Sequence, residues 1–407
     1  MRIAVVSPFV DKRHGTERAV AELLERLARD YGCEIHLYAQ RVAGLWLATP
    51  ESKHPEGSGR IVWHRVPGVP GPHLLQYLAW LIFNGAVRRW DTFRSRSPYA
   101  IVFSPGINCL HPDIVVVHAL FHRLRELALE RGDDSAARGG ILRRCHRRLY
   151  YLLLTRLERR IYTRPRVTLA AVSKRTAGLL KTYFERDDVA VIPNGVDRSQ
   201  FSREARLSQR STARQQRHIQ GGDCVLLLIG NDWSVKGLPV ILRAMASLRD
   251  LPLRLLVVGT DAAGPFQEYA AELGILERCL WERPTPNALD LYAAADIYVS
   301  PSREDSFGLP VAEAMACGIP VITSTQAGVA ECIREGVDGL VLSDPTDSTR
   351  LAGLIRKLYE RKDAPPLPEA EAADHRLWTW AQNADAFFRL LQSASLRHWK
   401  AKSQSEP

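Results

Sequence analysis

Short apolar runs alternate with amphipathic stretches along this chain. In the first half, runs rich in Val, Ile and Leu predict strands near 2–7, 34–39, 60–66, 100–103, 113–117, 168–173 and 189–192. Apolar positions at helical spacing predict helices over 16–30, 73–95, 141–163 and 174–184. The stretch 198–222, dense in Ser, Arg and Gln and poor in apolar residues, breaks the rhythm and reads as a linker. The alternation then resumes, with strands at 224–230, 253–259, 296–300, 320–323 and 339–342 and helices at 237–249, 265–274, 286–295, 309–317 and 346–361.

Strand and helix alternating at this spacing predict a parallel sheet covered on both faces, twice over. The 407 residues suit two domains better than one core. In such sheets ligands sit at the carboxyl ends of strands, so the strand endings at Ser7, His118 and Ser300 become candidate site walls. Near the C-terminus Trp380, Ala384, Phe387, Phe388 and Leu391 recur at helical spacing, the mark of a buried helix face.

Composition narrows the class. A hydrophobic fraction of 46% and a charged fraction of 25% are ordinary for a folded globular protein. The seven cysteines are widely spaced and form no Cys-x-x-Cys pair, which argues against a disulfide framework or zinc site and for a reducing cytosol. The opening residues, broken by Pro8, read as a first core strand rather than a signal peptide. The apolar-leaning run 74–87 is interrupted by Gln76 and Asn84 and is too short to cross a bilayer, which takes ~20 residues.

The net charge of +10 is concentrated: residues 122–166 hold thirteen Arg against five acids. A local positive field of this kind attracts anionic lipid, a phosphorylated acceptor or nucleic acid. The aromatics there cluster at Tyr150, Tyr151 and Tyr162 instead of interleaving with Arg as stacking platforms, so nucleic acid is not expected as a partner.

The segment Ser300-Pro-Ser-Arg-Glu-Asp305-Ser-Phe307-Gly308-Leu309-Pro310-Val-Ala-Glu313 sets two carboxylates around a strand end, a loop and a helix start. Pro310 suits a first helical turn. The helix N-terminus attracts phosphate or electron-rich oxygens, Gly308 permits close backbone approach, and ionised carboxylates can hold vicinal hydroxyls.

This segment resembles the signature of the retaining glycosyltransferases of family 4: Glu, seven residues, Glu, with Phe-Gly-Leu inside. The resemblance implies the GT-B fold, two Rossmann-like β/α/β domains with an interdomain cleft and a C-terminal helix crossing back onto the first. The acceptor-side domain would be 1–197 plus helix 376–395, and the nucleotide-sugar domain 223–375. By register Glu313 would hold the nucleotide ribose, and Asp305, one methylene shorter than the usual Glu, would reach the transferred sugar. Phe307, Gly308 and Leu309 fall within the same donor-binding stretch.

Two further loops resemble the family. Gly15 follows His14, where the family usually has Gly-Gly, and would approach the diphosphate. Gly230-Asn231-Asp-Trp-Ser-Val-Lys236-Gly237 resembles the phosphate-binding turn, with Lys236 as diphosphate partner and Asn231 where an Arg is frequent. His118 ends a strand where the family often carries a His near the sugar and acceptor.

The implied reaction transfers a hexose from a nucleoside diphosphate sugar to an acceptor hydroxyl with retention of configuration. His118, Asp305 and Lys236 would be the catalytic residues, and no metal or other cofactor is expected. Leu142, Cys145, Leu149 and Leu152 form an apolar stripe beside Arg143, Arg144, Arg147 and Arg148, the pattern of a helix resting on an anionic membrane. A cytoplasmic enzyme, peripheral on the inner face of the plasma membrane and acting on a lipid-linked or phosphorylated cell-envelope glycan such as lipopolysaccharide, is the resulting expectation. The alternative is a non-catalytic nucleotide-sugar-binding protein of the same fold. The sequence has no Gly-x-Ser-x-Gly elbow and no His-Glu-x-x-His helix.

Overall fold

The computed structural model describes residues 1–12, 15–47, 59–130, 141–361 and 376–403, with only the backbone described for 141–144 and 398–403. The chain divides into two compact units, Met1–Asn194 with Trp380–Pro407, and Gly195–Thr379.

In the first unit the strands are β1 (Arg2–Val6), β2 (Phe9–Val10), β3 (Glu34–Ala39), β4 (Arg41–Val42), β5 (Arg60–Arg65), β6 (Ile101–Pro105), β7 (Ile114–Val117), β8 (Thr168–Ala171) and β9 (Ala190–Val191). Seven of them form one sheet in the order β5-β3-β1-β6-β7-β8-β9, with every pair parallel. Ile3, Ala4, Val5 and Val6 are all buried, the continuous apolar run of a strand covered on both faces. The helices are α1 (Gly15–Tyr31), α2 (His73–Ser95), α3 (Phe121–Glu130), α4 (Ile141–Tyr162) and α5 (Lys174–Phe184), joined at the end of the chain by Trp380–Ser403.

That C-terminal helix belongs to the first unit through its apolar stripe. Trp380, Ala384, Phe387 and Leu391 are buried, Phe387 meets Phe103 of β6 with ring centroids 4.9 Å apart, and Phe388 stacks on Tyr31 of α1 at 4.4 Å.

The second unit has a six-stranded parallel sheet of β10 (Cys224–Ile229), β11 (Leu253–Val258), β12 (Cys279–Glu282), β13 (Ile297–Ser300), β14 (Val321–Ser324) and β15 (Gly339–Leu342), in the order β12-β11-β10-β13-β14-β15. Its helices are α6 (Arg203–Gln216), α7 (Leu238–Ala246), α8 (Gly264–Glu272), α9 (Ala288–Ala294), α10 (Leu309–Ala316) and α11 (Ser348–Glu360). The strand order reverses between β10 and β13. At such a switch point the loops leaving two neighbouring strands diverge and open a crevice at the carboxyl edge.

The expected linker at 198–222 is corrected here, because it contains α6, an integral helix of the second unit. Ser202 caps it by accepting from the Ala205 N–H at 3.1 Å. Three arginines of this stretch are held by the second unit and not left to solvent. Arg210 and Arg214 both donate to Asp296, at 2.5 and 3.1 Å, and to carbonyls at the end of α9, while Arg217 donates to Glu282 and Asp290 at 2.8 and 2.7 Å. Cations at a helix C-terminus satisfy its last carbonyls and complement its dipole.

Candidate functional site

The two loops beside the β10–β13 switch point are 230–237 and 301–308. Each enters a helix through a left-handed glycine, Gly237 at φ 85° before α7 and Gly308 at φ 96° before α10. Each helix has proline in its first turn and no side-chain cap, so each presents an N-terminus suited to an anion. The loops touch through backbone: Arg303 N–H donates to the Val235 carbonyl at 2.8 Å, and a Cβ on Gly237 would lie 2.5 Å from the Pro301 oxygen.

The 230–237 turn is tied down from one side. The Asp261 carboxylate, just past β11, accepts from the Asp232 and Trp233 N–H groups at 3.1 and 2.7 Å. Asn231 uses its Oδ1 to accept from the Thr260 N–H and hydroxyl at 3.0 and 2.9 Å, so this oxygen holds two loops together. The turn aims Lys236 at the neighbouring loop, where its Nζ pairs with Asp305 Oδ2 at 2.5 Å. Both side chains are largely shielded from water, which strengthens their attraction relative to a surface pair.

Asp305 is itself fixed by backbone: its N–H donates to the Gln326 carbonyl at 3.1 Å, and its own carbonyl accepts from Gly328 at 2.9 Å. The Phe307 and Leu309 side chains are buried packing groups. What this stretch can offer a ligand is therefore backbone, with Gly308 supplying the positive φ.

Glu313 sits in α10 with 4% of its surface exposed. Its Oε2 accepts from the Tyr292 hydroxyl of α9 at 2.7 Å. Burial pushes the Tyr292 phenol well above its usual range, with the Glu313 charge adding to the shift, so the hydroxyl stays a donor. Tyr298 of β13 is raised by burial too, and its hydroxyl donates to the Ile229 carbonyl at the end of β10 at 3.2 Å. The charges of Asp305 and Glu313 both add to that upward shift. The loops leaving β10 and β13 thus bring together a lysine–carboxylate pair and two glycine-started helices, with a second carboxylate, Glu313, buried on one of those helices.

The expected residues of the first unit stand as follows. Gly15 is the exposed first residue of α1, and His14 lies outside the described residues. His118 follows β7 beside a hollow lined by Leu23, Phe103, Val116 and Phe387. Burial of its ring lowers its pKa to about 4, so the imidazole is neutral at physiological pH. On α4, Arg147 is half-buried and Arg148, Leu149 and Leu152 are exposed, while the Arg143 and Arg144 side chains lie outside the described residues.

Sequence reasoning missed Tyr292, Asp261 and Thr260. Tyr292 lies in a short Ala- and Leu-rich helix that reads only as packing, and its partner Glu313 is 21 positions away. Asp261 carried a usable signal, a carboxylate three residues past the end of β11 next to the switch point.

Among the described residues no three or more His, Cys, Asp or Glu side chains are grouped so as to hold a metal ion, and no helix is long and apolar enough to cross a membrane.

Two Rossmann-like units, one carrying this carboxylate and lysine edge, define the GT-B class, and solved structures share it. The protein is similar to WaaG, a glycosyltransferase involved in lipopolysaccharide biosynthesis, with TM-score 0.70 and 19% identity over 97% of this chain and 98% of that one. It is also similar to Anabaena Alr3699/HepE in complex with UDP-glucose, with TM-score 0.63 and 17% identity over 99% and 100%.

A family model described as Glycosyltransferase Family 4 matches residues 13–200, and one described as Glycosyl transferases group 1 matches 209–375. The chain belongs to the family 4-like glycosyltransferases. It is similar to D-inositol 3-phosphate glycosyltransferases of Nocardia farcinica, 31% identical over 53% of this chain and 49% of that protein, and of Catenulispora acidiphila, 34% identical over 51% and 52%. The chain spans about half the length of the curated relatives it matches.

Proposed function

We propose that this protein transfers a hexose from a nucleoside diphosphate sugar to an acceptor hydroxyl, with retention of anomeric configuration. The observation that supports the reading is the pairing of Lys236 with Asp305 across the two loops that leave β10 and β13, beside the uncapped N-termini of α7 and α10, with Glu313 on α10.

In this reading Glu313, oriented by Tyr292, accepts from the ribose hydroxyls. The diphosphate competes with Asp305 for Lys236. As phosphate oxygens take over the ammonium, the Asp305 carboxylate is released to accept from a hydroxyl of the transferred sugar. Lys236 then offsets the negative charge that grows on the leaving diphosphate, together with the N-termini of α7 and α10, a cation role that needs no metal ion. No carboxylate of the set is assigned as nucleophile. A departing phosphate oxygen takes the acceptor proton on the face it leaves, which accounts for retention without a covalent intermediate. A neutral His118 suits hydrogen bonding to a sugar hydroxyl without adding a cation.

For the acceptor we propose a phosphorylated or lipid-linked polyol or glycan of the cell envelope. An inositol 3-phosphate glycosyltransferase among the relatives and a glycosyltransferase of lipopolysaccharide biosynthesis among the structural neighbours support that chemistry. The HepE complexes with UDP and UDP-glucose support a nucleoside diphosphate sugar as donor.

The test is a thermal-shift screen of nucleoside diphosphate sugars, followed by product analysis with inositol phosphate and lipid-linked acceptors. A donor at 100 times its dissociation constant adds ~2.7 kcal/mol to the stability of the protein that binds it. Glu313→Ala removes that gain. An equal shift in wild type and variant rejects the ribose assignment, and binding without transfer or slow donor hydrolysis favours a non-catalytic sugar-nucleotide binder.

A further inference from the structure

Helix α2 is longer than its packing needs. Its buried side, Trp80, Leu81 and Asn84, seats it on the first unit. The opposite side carries Leu75, Leu78, Ile82, Trp90 and Phe93, all exposed and spaced as one helical stripe, with Ile82 at 66%, Trp90 at 63% and Phe93 at 79%. A water-facing row of large apolar side chains on a 23-residue helix is not an ordinary surface.

The charges beside the stripe say what covers it. Arg89, Arg94 and Arg96 are exposed at the C-terminal end, next to the two aromatic rings. The one acid of α2, Asp91, is turned inward, where it accepts from the Tyr38 hydroxyl at 2.9 Å and pairs with His64 at 2.7 Å. The exposed face of α2 is thus apolar and cationic with no carboxylate. Tyr77 of α2 and Tyr150 and Leu157 of α4 pack on one core, and α4 has exposed Leu149, Leu152, Arg148 and Arg156 of its own. A second copy of the same face would bring like charges together, whereas anionic lipid headgroups bring opposite ones. Aromatic rings with flanking Arg are the side chains that settle at a bilayer interface.

We infer that α2 is an interfacial helix that rests its Leu75–Phe93 stripe on an anionic lipid surface, with Arg89, Arg94 and Arg96 among the headgroups. The docking face is α2. This does not depend on the reaction proposed above, because donor binding is assigned to the second unit.

The test is co-sedimentation of the full chain with phosphatidylcholine vesicles and with vesicles containing phosphatidylglycerol. The expected result is binding to the anionic vesicles alone, weakened by high salt. It should fall roughly tenfold or more in the Ile82→Ser, Trp90→Ser, Phe93→Ser triple variant. Thermal unfolding checks that the variant folds, and Phe93→Ser alone, at the most exposed position, serves if it does not. Arg89, Arg94 and Arg96 changed together to Gln should abolish the preference for anionic over neutral vesicles. A wild type that stays in the supernatant, binds both vesicles equally, or binds no better than the folded triple variant overturns the proposal. So does a wild-type dimer in lipid-free solution that the triple variant loses, which would assign the stripe to a second copy.

Discussion

Tyr292→Phe is the sharpest probe of the site. It removes one oxygen from a fully buried ring and leaves the packing of α9 against β13 intact. The lost hydroxyl is the donor to Glu313 Oε2 at 2.7 Å. Hydrogen bonds to charged groups contribute ~1.5–3 kcal/mol each, and the exposure of Glu313 is too small for water to replace this one fully, so a loss of about 2 kcal/mol is expected. For a unit of this size roughly 2–4 °C is lost per kcal/mol, which sets the expected fall in melting temperature at about 4–8 °C.

Calorimetry of the ligand-free protein reads that fall. Donor titration reads the accompanying loss of affinity, since a carboxylate freed from Tyr292 is no longer aimed. Glu313→Gln is the companion variant: it keeps an oxygen for the Tyr292 hydroxyl but loses the charge, so it should weaken donor binding more than it lowers stability. The double variant should show coupling of ~1 kcal/mol or more between the two positions. A Tyr292→Phe melting temperature within one degree of wild type, or strict additivity with Glu313→Gln, would refute the reasoning that Tyr292 positions this carboxylate.

Two other outcomes follow from the first unit and the phosphate turn. Burial lowers His36 and His118 to about 4, so both stay neutral in the folded chain while the unfolded chain protonates them near 6.5, and burial moves His64 in the same direction. Their stabilisation is therefore complete above pH 6.5 and lost as pH falls from 6.5 towards about 4. Two such groups give a slope of up to ~2.7 kcal/mol per pH unit. Urea unfolding of the first unit between pH 6.5 and 5, above the carboxylate range, should show that slope, and a flat profile there excludes it. Gly237→Ala should both destabilise the second unit and weaken donor binding: the backbone is at φ 85° and the new Cβ would lie 2.5 Å from the Pro301 oxygen, so the Asp305 loop must move. A non-glycine residue in the left-handed region costs ~1–2 kcal/mol before the clash is counted. Gly178→Ala, with nothing within 4 Å of its Cβ in α5, is the control and should be neutral or stabilising in the same melts.

What the sequence disclosed follows from where each residue's energy is decided. Buried parallel strands such as Ile3–Val6 and Leu226–Leu228 are apolar on both faces, so their own composition declares them. The edge strand β12, Cys-Leu-Trp-Glu, is short and only partly buried, and the alternation did not resolve it. Helix α6 was misread for a different reason: hydropathy counts its arginines as solvent-facing, whereas Arg210, Arg214 and Arg217 are held by Asp296, Glu282, Asp290 and the carbonyls of α9.

The site divides the same way. Lys236 and Asp305 each stand on a loop that leaves a strand for a glycine-started helix, and both strands flank the reversal of strand order, so local pattern plus topology brings them to one place. The bonds that aim the side chains are set by tertiary packing between residues far apart in the chain: Tyr292 with Glu313, Asp261 with the Asp232–Trp233 backbone, Asn231 with Thr260. A motif of this kind carries the reacting groups, while their orientation is held by residues that no motif marks. Substitutions at Tyr292 or Asp261 should therefore change donor affinity as much as substitutions among the motif residues that contact only backbone, and a scan of both sets against one donor would show whether orientation or identity limits binding.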